Sequence, residues 1–278
     1  MPTVRQALGE PSTLAASVTV AHAAVQILFK AAKANLPARP DGSHSNLIWS
    51  QGMFMTNPLT EVGKTCQIGL SLWPLCLIVL IGGARFEQTN LEGKTVDEAE
   101  NWLDTQLLAL GLNPIGPVQV TYDLPEQVTA LERFDADESG LAALAAWYTL
   151  ATVSLSQLAS ELDDIEPGPS PVRCWPHHFD IATYISLEEG DAETARGIGV
   201  GLSPGDGSYG EPYFYVNPWP HLDAANLPPV PEPGHWHTSG FVGAIATGTA
   251  ILTLNDLDQG TMSFLRQSVA IGRKQLGL

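Results

Sequence analysis

Alternation of apolar and polar residues is clearest in the stretch from Val172 to Leu187. A side-chain period of two is typical of a half-buried β-strand, because successive side chains point to opposite faces. The mostly apolar face would carry Trp175, His177, Phe179, Ile181, Thr183, Ile185 and Leu187. The opposite face would carry His178 and Asp180, two residues apart. The pattern therefore predicts one strand that presents an imidazole and a carboxylate side by side.

Helical spacing of apolar residues predicts helices at about 14–36, 95–110, 139–162 and 260–276. Thr95 and Glu98 have the spacing of a capping box, which marks the start of the second helix. Between the helices lie β-type runs that are separated by short turns. They predict strands at 44–57, 65–72, 75–81, 172–187, 195–202 and 212–217, with further strand candidates at 118–122 and 241–252.

Consecutive strands with short turns pair antiparallel, so the sequence predicts an α+β fold in which helices pack against an antiparallel sheet. Both halves of the chain have the order helix, three strands, helix. Trp49 and Trp175 each stand at the head of the first strand, and Gly-Leu-Ser closes the second strand at 69–71 and 201–203. We interpret this order as an internal duplication. The predicted parts are an N-terminal repeat at 1–115, a connector at 116–137 and a C-terminal repeat with a long proline-rich loop at 138–278, together forming one compact unit.

Composition narrows the class of protein. With 44% hydrophobic and 15% charged residues, the 278-residue chain is typical of a globular protein. Its net charge of −17 argues against nucleic acid or an anionic membrane as partner, since both require a basic surface. Cys66, Cys76 and Cys174 lie in apolar runs and are expected to be buried free thiols. Because the N-terminus also lacks a secretory signal, we predict a cytoplasmic protein.

Candidate binding chemistry concentrates in the second half. Tyr213 and Tyr215 would point to one side of their strand, where His178 or Asp180 could serve as partners. We predict a small-molecule pocket in the C-terminal half, with these four residues as its polar groups and Trp175 as an apolar wall. An alternative is that Asp180 only orients His178 or caps a turn. The glycine face at 197, 199 and 201 would admit either a ligand or a packed helix, and we favour the helix.

Two other functions stay open. His235 and His237, with His178 or Asp180, could form the zinc or iron shell of a metal-dependent hydrolase. The spacing also arises by chance, and proline-rich loops use histidine for packing, so the preferred prediction contains no metal. A structural or dimerising module, and hence a homo-oligomer, is the third alternative. No cofactor motif and no nucleophile elbow was recognised, so the cofactor and any enzyme activity are left unassigned.

A family resemblance rests on two segments. Trp175, Phe179, Asp180 and Ala182 in this order, followed by SPGDGSYGEPYFYVNPWP at 203–220, resemble an uncharacterised bacterial family known as a domain of unknown function (DUF5996-like). The resemblance implies a shared architecture, in which an aromatic-rich strand precedes a short strand pair and a helix. It implies no activity. His177 and His178 depart from the usual pattern of that family.

Overall fold

A computed structural model describes residues 3–59, 65–135, 137–190 and 194–278. Its α-helices are α1 (Val4–Leu8), α2 (Ala15–Asn35), α3 (Val96–Ala109), α4 (Glu126–Thr129), α5 (Glu138–Glu161), α6 (Gly248–Leu252) and α7 (Leu257–Gln275). Its strands are β1 (Leu47–Ser50), β2 (Met53–Thr56), β3 (Cys66–Leu72), β4 (Leu75–Ile81), β5 (Ala84–Asn90), β6 (Gly168–Pro169), β7 (Arg173–Trp175), β8 (Asp180–Ser186), β9 (Gly197–Ser203), β10 (Tyr213–Trp219), β11 (His235–His237) and β12 (Gly243–Thr247). The strands pair antiparallel, which confirms the predicted α+β class.

The chain divides into two compact units. The N-terminal unit contains residues 13–146 and 173–179, and the C-terminal unit contains residues 1–12, 147–172 and 180–278. Residues 116–137, predicted as a connector, therefore belong to the N-terminal unit. Each unit also contains a short segment that is separate in sequence from its main part, 173–179 in the N-terminal unit and 1–12 in the C-terminal unit.

In the N-terminal unit the strand order is β7-β1-β2-β3-β4-β5. β1 and β2 form a hairpin whose two-residue turn, Gln51-Gly52, has positive φ at both positions, as a type I′ turn requires. The apolar β4 is almost wholly buried, with α2 contacting β2 and β3, and α3 contacting β4 and β5. Thr95 and Glu98 make both hydrogen bonds of the predicted capping box at the start of α3.

Two helices, α2 and α5, are long and apolar enough to cross a bilayer. Within the protein, however, 72% and 56% of their most apolar windows are buried. Core helices have the same length and composition, so these two helices alone are a weak indication of a membrane segment. Cys66, Cys76 and Cys174 are buried thiols that form no disulfide bond, as predicted from the apolar runs around them.

In the C-terminal unit the strand order is β11-β12-β10-β9-β8, and β6 pairs with β8. α7 packs on β9 and β10, close enough that a Cβ at Gly272 would lie 3.0 Å from atoms of Ile198 and Pro218. The opposite face of β9 carries the predicted glycines. Tyr184 lies across Gly197 and Tyr215 lies across Gly201, so the expectation that a helix covers this face is wrong. The glycines instead make room for tyrosines from the strands on either side.

The stretch 172–187 is not one strand, which corrects the first prediction. β7 ends at Trp175, a turn follows, and β8 begins at Asp180. Phe179 closes the turn with φ 57°, an uncommon left-handed conformation for a residue with a side chain. From Phe179 onward the predicted apolar face holds, since Ile181 and Ile185 are fully buried. His178 therefore lies in the turn and does not share a strand face with Asp180.

Candidate ligand-binding site

The N-terminal unit contains a pocket of about 460 Å³, which we call the aromatic pocket. This volume lies within the range of roughly 300–1,000 Å³ that is common for small-molecule sites. Four chain segments supply the lining: α2, the loop that follows it, the segment before α4, and the end of β7 with its turn. The lining residues are Phe29, Lys33, Ala38, Asp41, Gly42, His44, Ser45, Thr121, Tyr122, Trp175, Pro176 and His177.

Ring contacts order the walls of the aromatic pocket. Tyr122 meets Phe29 edge-to-face at 5.0 Å and His177 at 5.8 Å between ring centroids. His177 in turn contacts Trp175 at 6.1 Å with an interplanar angle of 79°. Edge-to-face pairs of this kind are favourable beyond the apolar area they bury. Because each ring is held by its neighbours, the walls are in place before a ligand enters.

A buried hydrogen-bond network fixes the floor of the pocket. The carbonyl of Pro176 accepts from His22 Nε2 at 2.9 Å and from Gln26 Nε2 at 2.8 Å. A carbonyl only accepts, so His22 must carry its proton on Nε2. Gln26 then presents Oε1 to the hydroxyl of Tyr122, which donates to it at 2.7 Å. The network ties the turn after β7 and the Tyr122 wall to one face of α2.

Burial favours the neutral form of two imidazoles in this region, those of His22 and His177. Burial is the main cause that lowers the pKa of His22 to about 4, against the opposing effect of the Pro176 carbonyl, and nearby His178 and His177 lower it further. Burial, with a smaller effect of His178, also lowers the pKa of His177 to about 4. The pKa of Tyr122 is raised by burial. At neutral pH the floor and inner wall are therefore uncharged, and His22 stacks on Phe179 at 5.1 Å.

Charged groups of the aromatic pocket come from α2 and the loop after it. Lys33 Nζ donates to the Gln119 carbonyl at 3.1 Å and to Thr121 Oγ1 at 3.2 Å, and it lies 5.5 Å from the ring centre of Phe29. An ammonium group has three N–H donors, so a third is left for a ligand beyond these two acceptors in the described part of the chain. The Asp41 carboxylate accepts from the backbone N–H of Ser43 at 3.0 Å, which lowers the pKa of Asp41.

The loop that carries His44 is itself held in place. Asn57 Nδ2 donates to the carbonyls of Ser43 and His44 at 3.1 and 3.3 Å. His44 Nδ1 accepts from the backbone N–H of Arg39 at 3.2 Å, so neutral His44 carries its proton on Nε2. Gly42 has φ 71°, and a Cβ there would lie 4.0 Å from the Trp175 ring. The loop thus approaches Trp175 closely through a backbone shape that favours glycine.

A second group of polar side chains lies in the C-terminal unit, and we call it the tyrosine–histidine cluster (Asp180, Asp206, Tyr209, Tyr213, Tyr215, His235 and His237). Tyr215 donates a hydrogen bond to Asp180, and Tyr213 donates to Asp206 at 2.5 Å. Burial, then the charge of Asp180, raises the pKa of Tyr215, and burial with Asp206 raises that of Tyr213. The two tyrosines share a face, with ring centroids 6.3 Å apart.

At the edge of this cluster, one phenol contacts two histidines. The hydroxyl oxygen of Tyr209 lies 3.0 Å from His235 Nε2 and 3.0 Å from His237 Nδ1. His237 Nε2 donates to the Ser239 carbonyl at 2.5 Å, so its Nδ1 carries the lone pair and accepts from Tyr209. The oxygen of Tyr209 then accepts from His235 Nε2–H. Burial and the neighbouring His237 lower the pKa of His235, which favours its neutral form.

The predicted site residues do not all lie in one unit. Asp180, Tyr213 and Tyr215 lie in the C-terminal unit, whereas Trp175 and His178 belong to the N-terminal unit. Of these, Trp175 lines the aromatic pocket. His178 is exposed, does not line the pocket, and packs its ring on His177 at 4.3 Å. The lining of the aromatic pocket comes from residues 29–45 and 121–122 of the first half of the chain and from residues 175–177 of the second half.

The sequence reasoning missed most of the pocket. His22, Gln26, Lys33 and Tyr122 were not among the predicted site residues. The available signal was polar residues on the apolar side of α2, since His22 and Gln26 are buried at 4% and 7% exposure. Buried polar side chains require partners, so their position on a core helix indicates a fixed network.

Among residues 3–59, 65–135, 137–190 and 194–278, no group of three or more histidine, cysteine, aspartate or glutamate side chains is placed to hold a metal ion. No protein-family model, curated protein or solved structure gave a significant match to the chain.

Proposed function

We propose that this chain is a small-molecule-binding protein and that the aromatic pocket is its binding site. The observation that carries the proposal is the preformed aromatic wall above a floor fixed by buried hydrogen bonds. Binding is strongest where the site needs little ordering, because immobilising side chains costs free energy. The pocket combines apolar walls with a few polar groups, which is the usual composition of a ligand site.

The lining favours a flat, largely aromatic ligand. Trp175, Tyr122 and His177 present ring faces and edges, on which a planar molecule can stack. Lys33 offers a donor and a positive charge on one side, and His44 offers its Nε2–H. We expect an acceptor or anionic group of the ligand to lie toward Lys33.

A thermal-shift screen of planar aromatic compounds tests this proposal. Compounds that raise the melting temperature of the wild-type chain should raise that of His177→Ala much less, because this variant loses a wall of the aromatic pocket. His178→Ala is the matched control, since this neighbouring exposed histidine does not line the pocket. Ligands should raise the melting temperature of this variant as much as that of the wild type. Equal loss of binding in both variants, or shifts that survive in His177→Ala, would contradict the proposed site.

The same screen addresses the site predicted from sequence. A ligand at Asp180, Tyr213 and Tyr215 should still bind His177→Ala, but it should lose affinity in Tyr215→Phe. That variant removes the hydroxyl that donates to Asp180 and keeps the ring over Gly201. The metal-dependent hydrolase and the dimerising module remain the alternatives. In the hydrolase alternative Asp180 would have to exchange its hydrogen bond from Tyr215 for a metal ion.

We also propose that the chain arose by internal duplication and belongs with the DUF5996-like architecture. Supporting this, β2, β3, β4 and β5 are neighbours in the sheet and precede α3, and β8, β9, β10 and β12 are neighbours in the same way and precede α7. In the C-terminal unit β11 and α6 are additional elements within this order. The Gly-Leu-Ser segment lies at 69–71, one residue before the end of β3, and at 201–203, at the end of β9. In an experimental structure the two sets of elements should superpose with Gly69 on Gly201. A different register of these two strands would argue against duplication.

For location and partners we propose a cytoplasmic protein that binds neither nucleic acid nor membrane. The support is the net charge of −17, which repels phosphate-rich surfaces. Fractionation of the producing cell tests the location, and recovery of the chain in the membrane fraction would contradict it. A sedimentation assay with vesicles of anionic lipid tests membrane binding, and recovery of the chain with the vesicles would contradict that part of the proposal.

A further inference from the structure

We propose that His235 and His237 form an exchangeable binding site for a first-row divalent transition-metal ion, of the class Cu²⁺, Ni²⁺ or Zn²⁺. The proposal concerns the C-terminal unit and is independent of the aromatic pocket. It rests on the geometry of β11 and on the contacts of Tyr209. Two neutral imidazoles are a donor set that these three ions prefer over harder cations such as Mg²⁺ and Ca²⁺.

The backbone of β11 places both rings on the same side. His235 and His237 are two residues apart on a strand that pairs with β12, so their side chains leave the same face. Their nearer ring nitrogens each lie 3.0 Å from the single oxygen of Tyr209. The two nitrogens therefore already converge on one small volume, as the donors of a chelate must.

His237 is orientated as a metal-bound histidine usually is. Its Nε2–H donates to the Ser239 carbonyl, which leaves the Nδ1 lone pair directed at the Tyr209 oxygen. Metal-ligating histidines commonly donate their other ring N–H to a backbone carbonyl in this way. Phe241 stacks on the His237 ring at 4.3 Å and 27°, which restricts its rotation.

Metal binding would exchange hydrogen bonds for two metal–nitrogen bonds. His235 would move its proton from Nε2 to Nδ1, which an exposed side chain can direct to water, so no net proton is lost from the ring. The hydroxyl of Tyr209 would keep its proton and turn to water molecules that complete the coordination of the ion. We therefore assign Tyr209 a positioning role, and the ion would remain open to solvent. The net charge of −17 raises the local concentration of cations.

Titration of the untagged full chain with Cu²⁺, followed by calorimetry and electron paramagnetic resonance, tests the site. We expect one equivalent of tightly bound Cu²⁺ with hyperfine structure from two nitrogen ligands. His235→Ala and His237→Ala should each weaken binding at least about tenfold, since losing a ligand costs no less than losing its supporting hydrogen bond. His221→Ala, at an exposed histidine outside β11, is the matched control and should bind as the wild type does.

Two results would overturn the proposal. One is a wild-type chain that binds no equivalent of Cu²⁺ above the level of the double variant His235→Ala/His237→Ala. The other is a His235→Ala variant that keeps wild-type affinity. Should alanine at position 237 unfold the chain, because His237 packs on Phe241, the His235→Ala variant alone decides, since His235 is exposed.

Discussion

Buried His22 should make the stability of the protein depend on pH in a way that one substitution removes. In the folded chain burial lowers the pKa of His22 from the usual 6.5 to about 4, because the ring is only 4% exposed, and the hydrogen bond to the Pro176 carbonyl opposes this shift only in part. In the unfolded chain His22 takes up a proton near pH 6.5. The folded state disfavours that proton, so this contribution to stability is complete above pH 6.5 and is lost as the pH falls toward 4.

The size of the effect follows from the two pKa values. Linkage predicts a loss of about 2 kcal/mol at pH 5 and about 3 kcal/mol at pH 4, relative to pH 8. His22→Gln should abolish this pH-dependent loss of stability, because glutamine does not titrate. Its side-chain amide can still donate a hydrogen bond to the Pro176 carbonyl. The carboxylates of the chain titrate equally in both proteins, so the difference between them isolates His22.

Urea denaturation between pH 8 and pH 4.5, monitored by circular dichroism, measures the difference. The free energy of unfolding of the wild type should fall below that of His22→Gln as the pH decreases, after the two curves are aligned at pH 8. His221→Gln, a change at an exposed histidine, should keep the wild-type slope. Parallel pH curves for the wild type and His22→Gln would refute the reasoning about the buried network.

Two further substitutions probe the glycine face and the pocket loop. Gly201→Ala should lower the free energy of unfolding by about 1–3 kcal/mol, because its Cβ would lie 2.5 Å from the Tyr215 hydroxyl, whereas Gly207→Ala should change it by less than about 0.5 kcal/mol. Equal effects of the two alanines in urea denaturation would show that Tyr215 does not lie over Gly201. Asn57→Ala should weaken binding of any pocket ligand severalfold, because it releases the carbonyls of Ser43 and His44, and calorimetric affinity equal to that of the wild type would contradict this role.

The fold class could be predicted because its signals are local. The capping box of α3 involves residues three apart, and the apolar β4 forms a run without interruption. Alternation also identified the buried face of β8 correctly. It failed at the turn before β8 because Phe179 adopts positive φ, and side-chain periodicity carries no information about that conformation. The alternation of apolar and polar residues continues unchanged through the turn, so nothing in the sequence indicated that β7 and β8 are separate strands.

The candidate site depends on contacts that are distant in sequence. His22 and Gln26 meet Pro176 across 154 and 150 positions of the chain, and Tyr122 meets Gln26 across 96. No local pattern specifies such a partner. The sequence could indicate Trp175 as an aromatic wall, because an aromatic side chain beside proline and histidine is chemically distinctive. The sequence pattern indicated His178 and not His177 as a site residue only because one continuous strand was expected, on which His178 and Asp180 would share a face.

The glycine face illustrates the same limit at shorter range. Alternating glycines at 197, 199 and 201 show that something lies close to β9, and the sequence reasoning identified that correctly. What lies there is Tyr184 from β8 and Tyr215 from β10. A helix, a ligand and a neighbouring tyrosine all require the same absence of a Cβ. Only the strand order could distinguish them.

Isothermal titration of Trp175→Ala with the strongest ligand from the screen tests the central claim most directly. The substitution removes a wall of the aromatic pocket, so affinity should fall at least about tenfold, which corresponds to about 1.4 kcal/mol. Trp219→Ala, which removes a partly buried tryptophan of the C-terminal unit, should bind the ligand as the wild type does. If Trp175→Ala instead keeps wild-type affinity while remaining folded, the aromatic pocket is not the binding site.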